Sequence, residues 1–497
     1  MMESSGKVER ISSDVVRVQG LPDEILLKIF EDDNSWNLPF LSSISGTSTF
    51  FRDLVTPLLY RRFKYRGYED CRGLKLKSFV SSIAKKPERL RHLQELYLSD
   101  WIYNCKLRGS LVKDTIPFQE LRDRDKIPTI LIWKGVNLRR LSVTYPYGRQ
   151  LSFLEGPHPT LRELTVLPEG ARIGLCCPKH VAVYPLDGGL NIHLVPYMLR
   201  SPKLKQLSLH AEFYAGFAPF VLQEMPQKTS TLERLSLRVG MLHDSVLVSL
   251  LEAAKRLTHF GFWPIHSSEL YNSSLISSQR SGSYPRLLPR TSTFGSSLRA
   301  HSATLECINL YRGDHWWWPN LDSIGSLSSM QVLKILTIEA SMLLGYNHCQ
   351  HHARKDKIPS SPPRALAKLL PASLVELQLR LEAQHITRNG TDYVYDIMAG
   401  IVDDLPRLKH LEVVEISSGY HAYCQDCSDI PRSTTDDFMH LQEARRIIKL
   451  VEGTRLKFGC TNCILYDEEE KTSRSAWQLD SNLKLVPGLA GWWPDCV

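Results

Sequence analysis

Leu204-Lys205-Gln206-Leu207-Ser208-Leu209 and Leu232-Glu233-Arg234-Leu235-Ser236-Leu237 share one pattern: a leucine, two residues, an apolar residue, one residue, and a second apolar residue. The last two apolar positions alternate with polar ones, as a strand buried on one face requires, and the leading leucine turns in from the preceding loop. Outward from this pair the pattern recurs at Leu93-Leu96-Leu98, Leu138-Leu141-Val143, Leu161-Leu164-Val166 and Leu257-Phe260-Phe262. Further on it recurs at Leu305-Ile308-Leu310, Leu333-Leu336-Ile338, Leu374-Leu377-Leu379 and Leu408-Leu411-Val413. Each copy predicts one strand. Pro159, Pro202 and Pro406 punctuate the chain two residues before a leading leucine.

Successive leading leucines are 23 residues apart at 138 and 161, 28 at 204 and 232, and 25 at 232 and 257. The longer gaps leave room for weak copies such as Val181-Ala182-Val183. Helical material separates the strands, as at Val246 to Ala254 and Leu366 to Leu370. No such unit buries its own apolar face, so each must stack on the next. The portion from 89 to 416 resembles a degenerate leucine-rich-repeat array. The resemblance implies an α/β solenoid with parallel strands on the concave face and helices outside, irregular because an asparagine ladder is not evident. Scattered leucines in another α/β domain are the competing reading. Residues 264–303, rich in serine, and 345–363, rich in His and Lys, read as loops.

Residues that alternate with the buried leucines would line the exposed face: Tyr97, Ser142, Thr165, Ser208, Ser236, Asn309, Thr337, Gln378 and Glu412. The next outward position adds His210, Arg238, Trp263, Tyr311, Glu339 and Arg380. Trp, Tyr and Arg most often anchor protein interfaces, so Arg238, Trp263, Tyr311 and Arg380 are the candidate substrate contacts. The tryptophans at 316–318 and 492–493 fit either a recognition patch or plugs between repeats.

The N-terminal stretch Leu21-Pro22-Asp23-Glu24-Ile25-Leu26-Leu27-Lys28-Ile29-Phe30 predicts a helix, with Pro22 at its first turn and acids where the dipole favours them. Ile25, Leu26, Ile29 and Phe30 form a stripe broad enough to pack on one side and leave apolar surface uncovered. Leu38, Leu41 and Ile44 suit a second helix; Phe50, Phe51, Leu54, Leu58 and Leu59 suit a third segment interrupted by Pro57. So small a unit leans on a neighbouring domain and on a partner. The runs LPDEILLKIF, LSSIS, TFFR and LLYRRF resemble the F-box of many fungal proteins. That resemblance implies docking to the Skp-type adaptor of a cullin-based ubiquitin ligase, with the rest of the chain holding a protein substrate. Leu21, Pro22, Glu24, Ile25, Ile29, Leu41, Ser45 and Phe51 would face the adaptor. Glu31-Asp32-Asp33-Asn34 and Phe51 depart from the family pattern, which more often has an apolar helix end and a tryptophan. An ordinary helical cap on the following domain is the alternative reading.

The expected layout is a disordered 1–18, an F-box at 19–65, a linker helix region at 66–88, the array at 89–416 and a C-terminal cap at 417–497. A composition of 43% hydrophobic and 23% charged residues is ordinary for a globular chain of this length. The net charge of +8 is expected to be spread without a dense basic block, so no nucleic-acid partner is expected. No apolar run suits a membrane span or a secretory leader, which points to the cytoplasm or nucleus. Eleven cysteines, an odd number, read as reduced thiols. Cys424 and Cys427, with Cys460 and Cys463, have the spacing of two zinc knuckles, and a structural zinc would close the cap. Four unrelated thiols would give the same spacing. No other cofactor is expected. His348, Cys349, His351 and His352 read as solvent-facing. No nucleotide, nucleophile-elbow or zincin motif occurs, so catalysis is expected to reside in other subunits.

Overall fold

The structure, a computed structural model, describes residues 22–31, 38–66, 74–99, 131–145, 154, 156–168, 194–211, 228–239, 242, 244–264, 291–310, 323–345, 363–382, 392–419, 438–461, 464–467, 472–475, 478–479 and 485–486. Twelve parallel strands pair in sequence order into one open sheet. They are β1 (Arg62–Arg66), β2 (Glu95–Ser99), β3 (Arg140–Tyr145), β4 (Glu163–Pro168), β5 (Gln206–Ala211), β6 (Arg234–Val239), β7 (His259–Pro264), β8 (Cys307–Leu310), β9 (Ile335–Glu339), β10 (Glu376–Glu382), β11 (Val413–Gly419) and β13 (Lys457–Thr461). β12 (Phe438–His440) joins a separate small sheet. Strictly serial pairing is what a stack of units dependent on their neighbours requires.

All ten pattern copies coincide with strands, but the last needs correction. Leu377 and Leu379 pair with Val414 and Ile416, so the copy in β11 is Leu411-Val414-Ile416 and the outward residue beside Gln378 is Glu415, not Glu412. Leu408 and Leu411 are both fully buried, so either frame satisfies the apolar pattern and backbone pairing decides. The sheet also extends beyond the ten copies at both ends. In β1 aromatic residues take the leucine positions, with Phe63 beside Leu96 and Tyr65 beside Leu98. Before β13 the leading position holds Arg455, whose guanidinium donates to the carbonyls of Leu408 at 2.6 Å and Leu411 at 3.1 Å.

Hydroxyls do the work an asparagine ladder would do. The residue before a leading leucine donates to the leading carbonyl of the previous unit: Thr160 to Leu138 at 2.9 Å, Thr231 to Leu204 at 2.9 Å, Thr304 to Leu257 at 2.8 Å and Ser373 to Leu333 at 2.9 Å. Backbone pairing continues into the same turns, as where Arg162 N–H donates to Arg139 at 2.7 Å.

Helices cover the buried face. In chain order after the N-terminal three they are α4 (Leu74–Lys85), α5 (Leu194–Leu199), α6 (Asp244–Ala253), α7 (Thr291–Arg299), α8 (Ala340–Leu344), α9 (Leu366–Leu369), α10 (Asp392–Asp403) and α11 (Leu441–Val451). In α10 the buried Val394, Ile397, Met398 and Ile401 recur at helical spacing. The expected loop at 264–303 contains α7, because Phe294 and Leu298, four apart in a serine-rich stretch, are both fully buried, and Phe294 lies 6.1 Å from Phe262. In α7 a Cβ on Gly295 would stand 2.2 Å from the Ile324 carbonyl oxygen. Gly295→Ala, which gains about 1 kcal/mol in an open helix, is therefore expected to lower the unfolding free energy by about 2 kcal/mol or more in urea titration.

The N-terminal helices α1 (Asp23–Glu31), α2 (Leu38–Ser45) and α3 (Thr49–Arg61) enclose their own small core of Leu26, Phe30, Leu41, Leu54 and Val55, separate from the main one. α3 is one unbroken helix; Pro57 removes a single N–H without ending it, and Ser48 Oγ caps the start by accepting from Phe51 N–H at 3.1 Å. It runs directly into β1 at the edge of the 19–65 segment. α4, in the expected linker, sends Leu76 and Ile83 into the main core. Phe63 stacks on Phe79 at 3.7 Å, and the Arg89 guanidinium sits 4.8 Å from the Tyr60 ring centre. These contacts fasten the helical module to the first unit of the sheet.

Candidate docking surfaces

α1 begins where the Pro22 carbonyl accepts from Ile25 and Leu26 N–H at 3.0 and 3.1 Å. Leu26 and Phe30 turn into the small core, and Ile25, on the flank of the same stripe, stays 42% exposed. α2 leaves Leu38 at 52% and Phe40 at 39% exposed, and α3 leaves Phe50 at 37%. Four of the seven large hydrophobics exposed among the described residues thus belong to three short helices. Exposed apolar side chains are thus concentrated in α1 to α3 among the described residues.

The expected adaptor contacts divide. Pro22, Glu24 and Ile25 are exposed, Ser45 and Phe51 are half-buried, Leu21 lies outside the described residues, and Ile29 is described only by its helical backbone. Leu41 is corrected: at 5% exposure it fills the core among the three helices and builds the module instead of facing a partner. Ser45 Oγ donates to the Ser42 carbonyl at 2.6 Å, and Phe51 meets Phe50 edge-to-face at 5.3 Å. Leu38, Phe40 and Phe50 are the exposed residues missed as contacts; helical phase relative to Leu41 and Leu54 was the available signal.

On the sheet, Arg238 is exposed in β6 and stands directly beside Trp263 of β7, which is half-buried. Arg380 lies in β10, three strands from Trp263 or roughly 14 Å at ordinary strand spacing. Its register partner is Glu339. Tyr311 lies outside the described residues. The outward positions on β5, β6 and β7 form three rows. Gln206, Arg234 and His259 make the first, Ser208, Ser236 and Gly261 the second, and His210, Arg238 and Trp263 the third. The second row is a floor of small residues between two larger rows. At Gly261 a Cβ would stand 2.4 Å from the outer edge of the Trp263 ring, which lies over this position.

Burial, and then the Arg238 charge, pull the His210 imidazole down to about 4 from 6.5. The unfolded chain binds a proton near 6.5 that the folded chain refuses, so this contribution is whole above pH 6.5 and is lost as the pH falls toward 4. The wild type is expected to lose up to about 3 kcal/mol more unfolding free energy across that interval than His210→Gln, in denaturant titrations at each pH.

Toward the first strands the face carries an ion-pair chain. Arg62 lies 2.5 Å from Glu95, and Arg140 spans Glu95 at 3.4 Å and Glu163 at 2.9 Å. Burial raises the Glu95 carboxyl, but Arg62 and Arg140 outweigh it and hold the group below its ordinary range. The charge is less evenly spread than expected: residues 61–92 carry eleven Lys and Arg residues against Glu69, Asp70 and Glu88.

Cys424, Cys427 and Cys463 lie outside the described residues, and Cys460 is described only as backbone in β13, beside Ile416 of β11. Among the described residues no three metal-ligating side chains cluster, and no helix is long and apolar enough to cross a membrane. No protein-family model matches the chain, and no curated protein matches it.

Proposed function

We propose that the chain is a substrate-recognition subunit of a cullin-based ubiquitin ligase: α1 to α3 act as an F-box that docks a Skp-type adaptor, and the outward face of a leucine-rich-repeat-like sheet holds a protein substrate. The observation that carries the reading is a three-helix unit with its own core and with Ile25, Leu38, Phe40 and Phe50 left in solvent. Four such side chains hold apolar area that a partner can remove from water at about 25 cal/mol per Å². The unbroken path from α3 into β1 would then fix a bound substrate relative to the adaptor, so that catalysis by other subunits benefits from proximity. The two CxxC pairs stay proposed as ligands of a structural zinc.

Co-purification tests the reading. The tagged chain should recover the Skp-type adaptor together with the cullin; recovery of neither removes the proposal. Adaptor without cullin would favour the second reading, a scaffold with no role in ubiquitin transfer, which the same apolar face supports.

A further inference from the structure

The hydroxyls of Ser208 and Ser236, register partners on β5 and β6, are shielded from solvent and have no hydrogen-bond partner. Ser208 is fully buried. Elsewhere on the same row Thr337 donates to Gln378 at 3.1 Å, so the face can satisfy its hydroxyls where nothing else is required of them. Leaving a buried hydroxyl unpaired costs free energy that a native structure retains only for a reason. The flanking rows point to that reason. β5, β6 and β7 contain no Asp or Glu, while Arg234 and Arg238 stand on either side of Ser236 and the Trp263 indole closes one end. The two flanking rows are four residues apart along each strand, roughly 13 Å, which admits one extended chain and excludes a nucleic-acid duplex.

Resting on the proposal that the sheet face holds a protein, we infer that this trough binds an extended acidic polypeptide segment running across the strands. The segment's carboxylates meet Arg234 and Arg238, and its acceptor groups take up the hydroxyls of Ser208 and Ser236. The Trp263 ring lies over Gly261 of this row, so it would have to swing aside for a segment to settle there.

The test uses the full chain and a fluorescein-labelled dodecapeptide of alternating glutamate and alanine, its glutamine counterpart, and an oligouridylate of equal length, read by anisotropy. The acidic peptide should bind at least about tenfold more tightly than the glutamine peptide. Arg234→Gln with Arg238→Gln should weaken it by about tenfold or more, with Arg380→Gln close to wild type. Ser208→Ala with Ser236→Ala should weaken binding several-fold while the thermal midpoint holds or rises. Serine substitutions that raise the midpoint without loss of binding would overturn the inference, as would tighter binding of the oligouridylate or absence of peptide binding. Adaptor recovery does not involve these residues, so failure here is distinguishable from failure of the docking proposal.

Discussion

Ile25→Asp combined with Phe50→Asp is expected to lower recovery of the Skp-type adaptor by more than about 100-fold while the melting midpoint stays close to wild type. Ile25 is 42% and Phe50 37% exposed, so little of the folded state depends on their outer surfaces. In the complex both would be covered. Each then forfeits on the order of 1 kcal/mol of apolar burial, and each carboxylate adds the larger cost of a charge held away from water without a partner. Together these exceed the roughly 2.8 kcal/mol that a hundredfold loss represents. Leu41→Asp supplies the contrast. With Leu41 at 5% exposure in the small core, this variant should lose binding because the module unfolds, and its midpoint or helical signal should fall with it. Binding by the Ile25/Phe50 variant at wild-type strength would remove the apolar face from the account.

Phe262→Ala is expected to cost about 3–5 kcal/mol of unfolding free energy. Phe262 is fully buried in β7, between Leu237 of β6 and Leu310 of β8, with Phe294 of α7 at 6.1 Å. Truncation opens a cavity at the point where sheet and helix layers meet. Domains of this kind have only about 5–15 kcal/mol in total, so the loss should be plain in a urea titration. Trp263, the next residue along the same strand, faces the other way and is half-buried. Trp263→Ala should cost about 1 kcal/mol, less than half as much. Equal costs for the two variants would mean that the strand does not have one buried and one open face.

The strands were legible because a period of two with a leading leucine leaves few other folds open: nine of the ten copies lie in the parallel sheet in the expected frame and the tenth three residues out of it. What the pattern missed has physical causes. β1 escaped because Phe63 and Tyr65 do a leucine's packing, and β13 because Arg455 replaces a buried leucine with hydrogen bonds to two carbonyls. The frame at β11 is ambiguous in the sequence because both Leu408 and Leu411 are buried, leaving only the ladder to choose between them. α7 was hidden by serines around two core residues. The hydroxyl ladder from Thr160, Thr231, Thr304 and Ser373 leaves no asparagine signature in the sequence, because Thr and Ser occur in any loop. At the candidate sites, register placed Arg238 beside Trp263, whereas Leu41 shows that a position singled out by resemblance alone says nothing of which face its side chain takes. The unpaired hydroxyls of Ser208 and Ser236 are visible only in three dimensions.

Hydrogen–deuterium exchange of the full chain with and without a purified Skp-type adaptor tests the docking claim most directly. Slower exchange confined to α1, α2 and the first half of α3, with the sheet unchanged, is the predicted result. Identical exchange with and without saturating adaptor, or protection confined to the sheet, would contradict it.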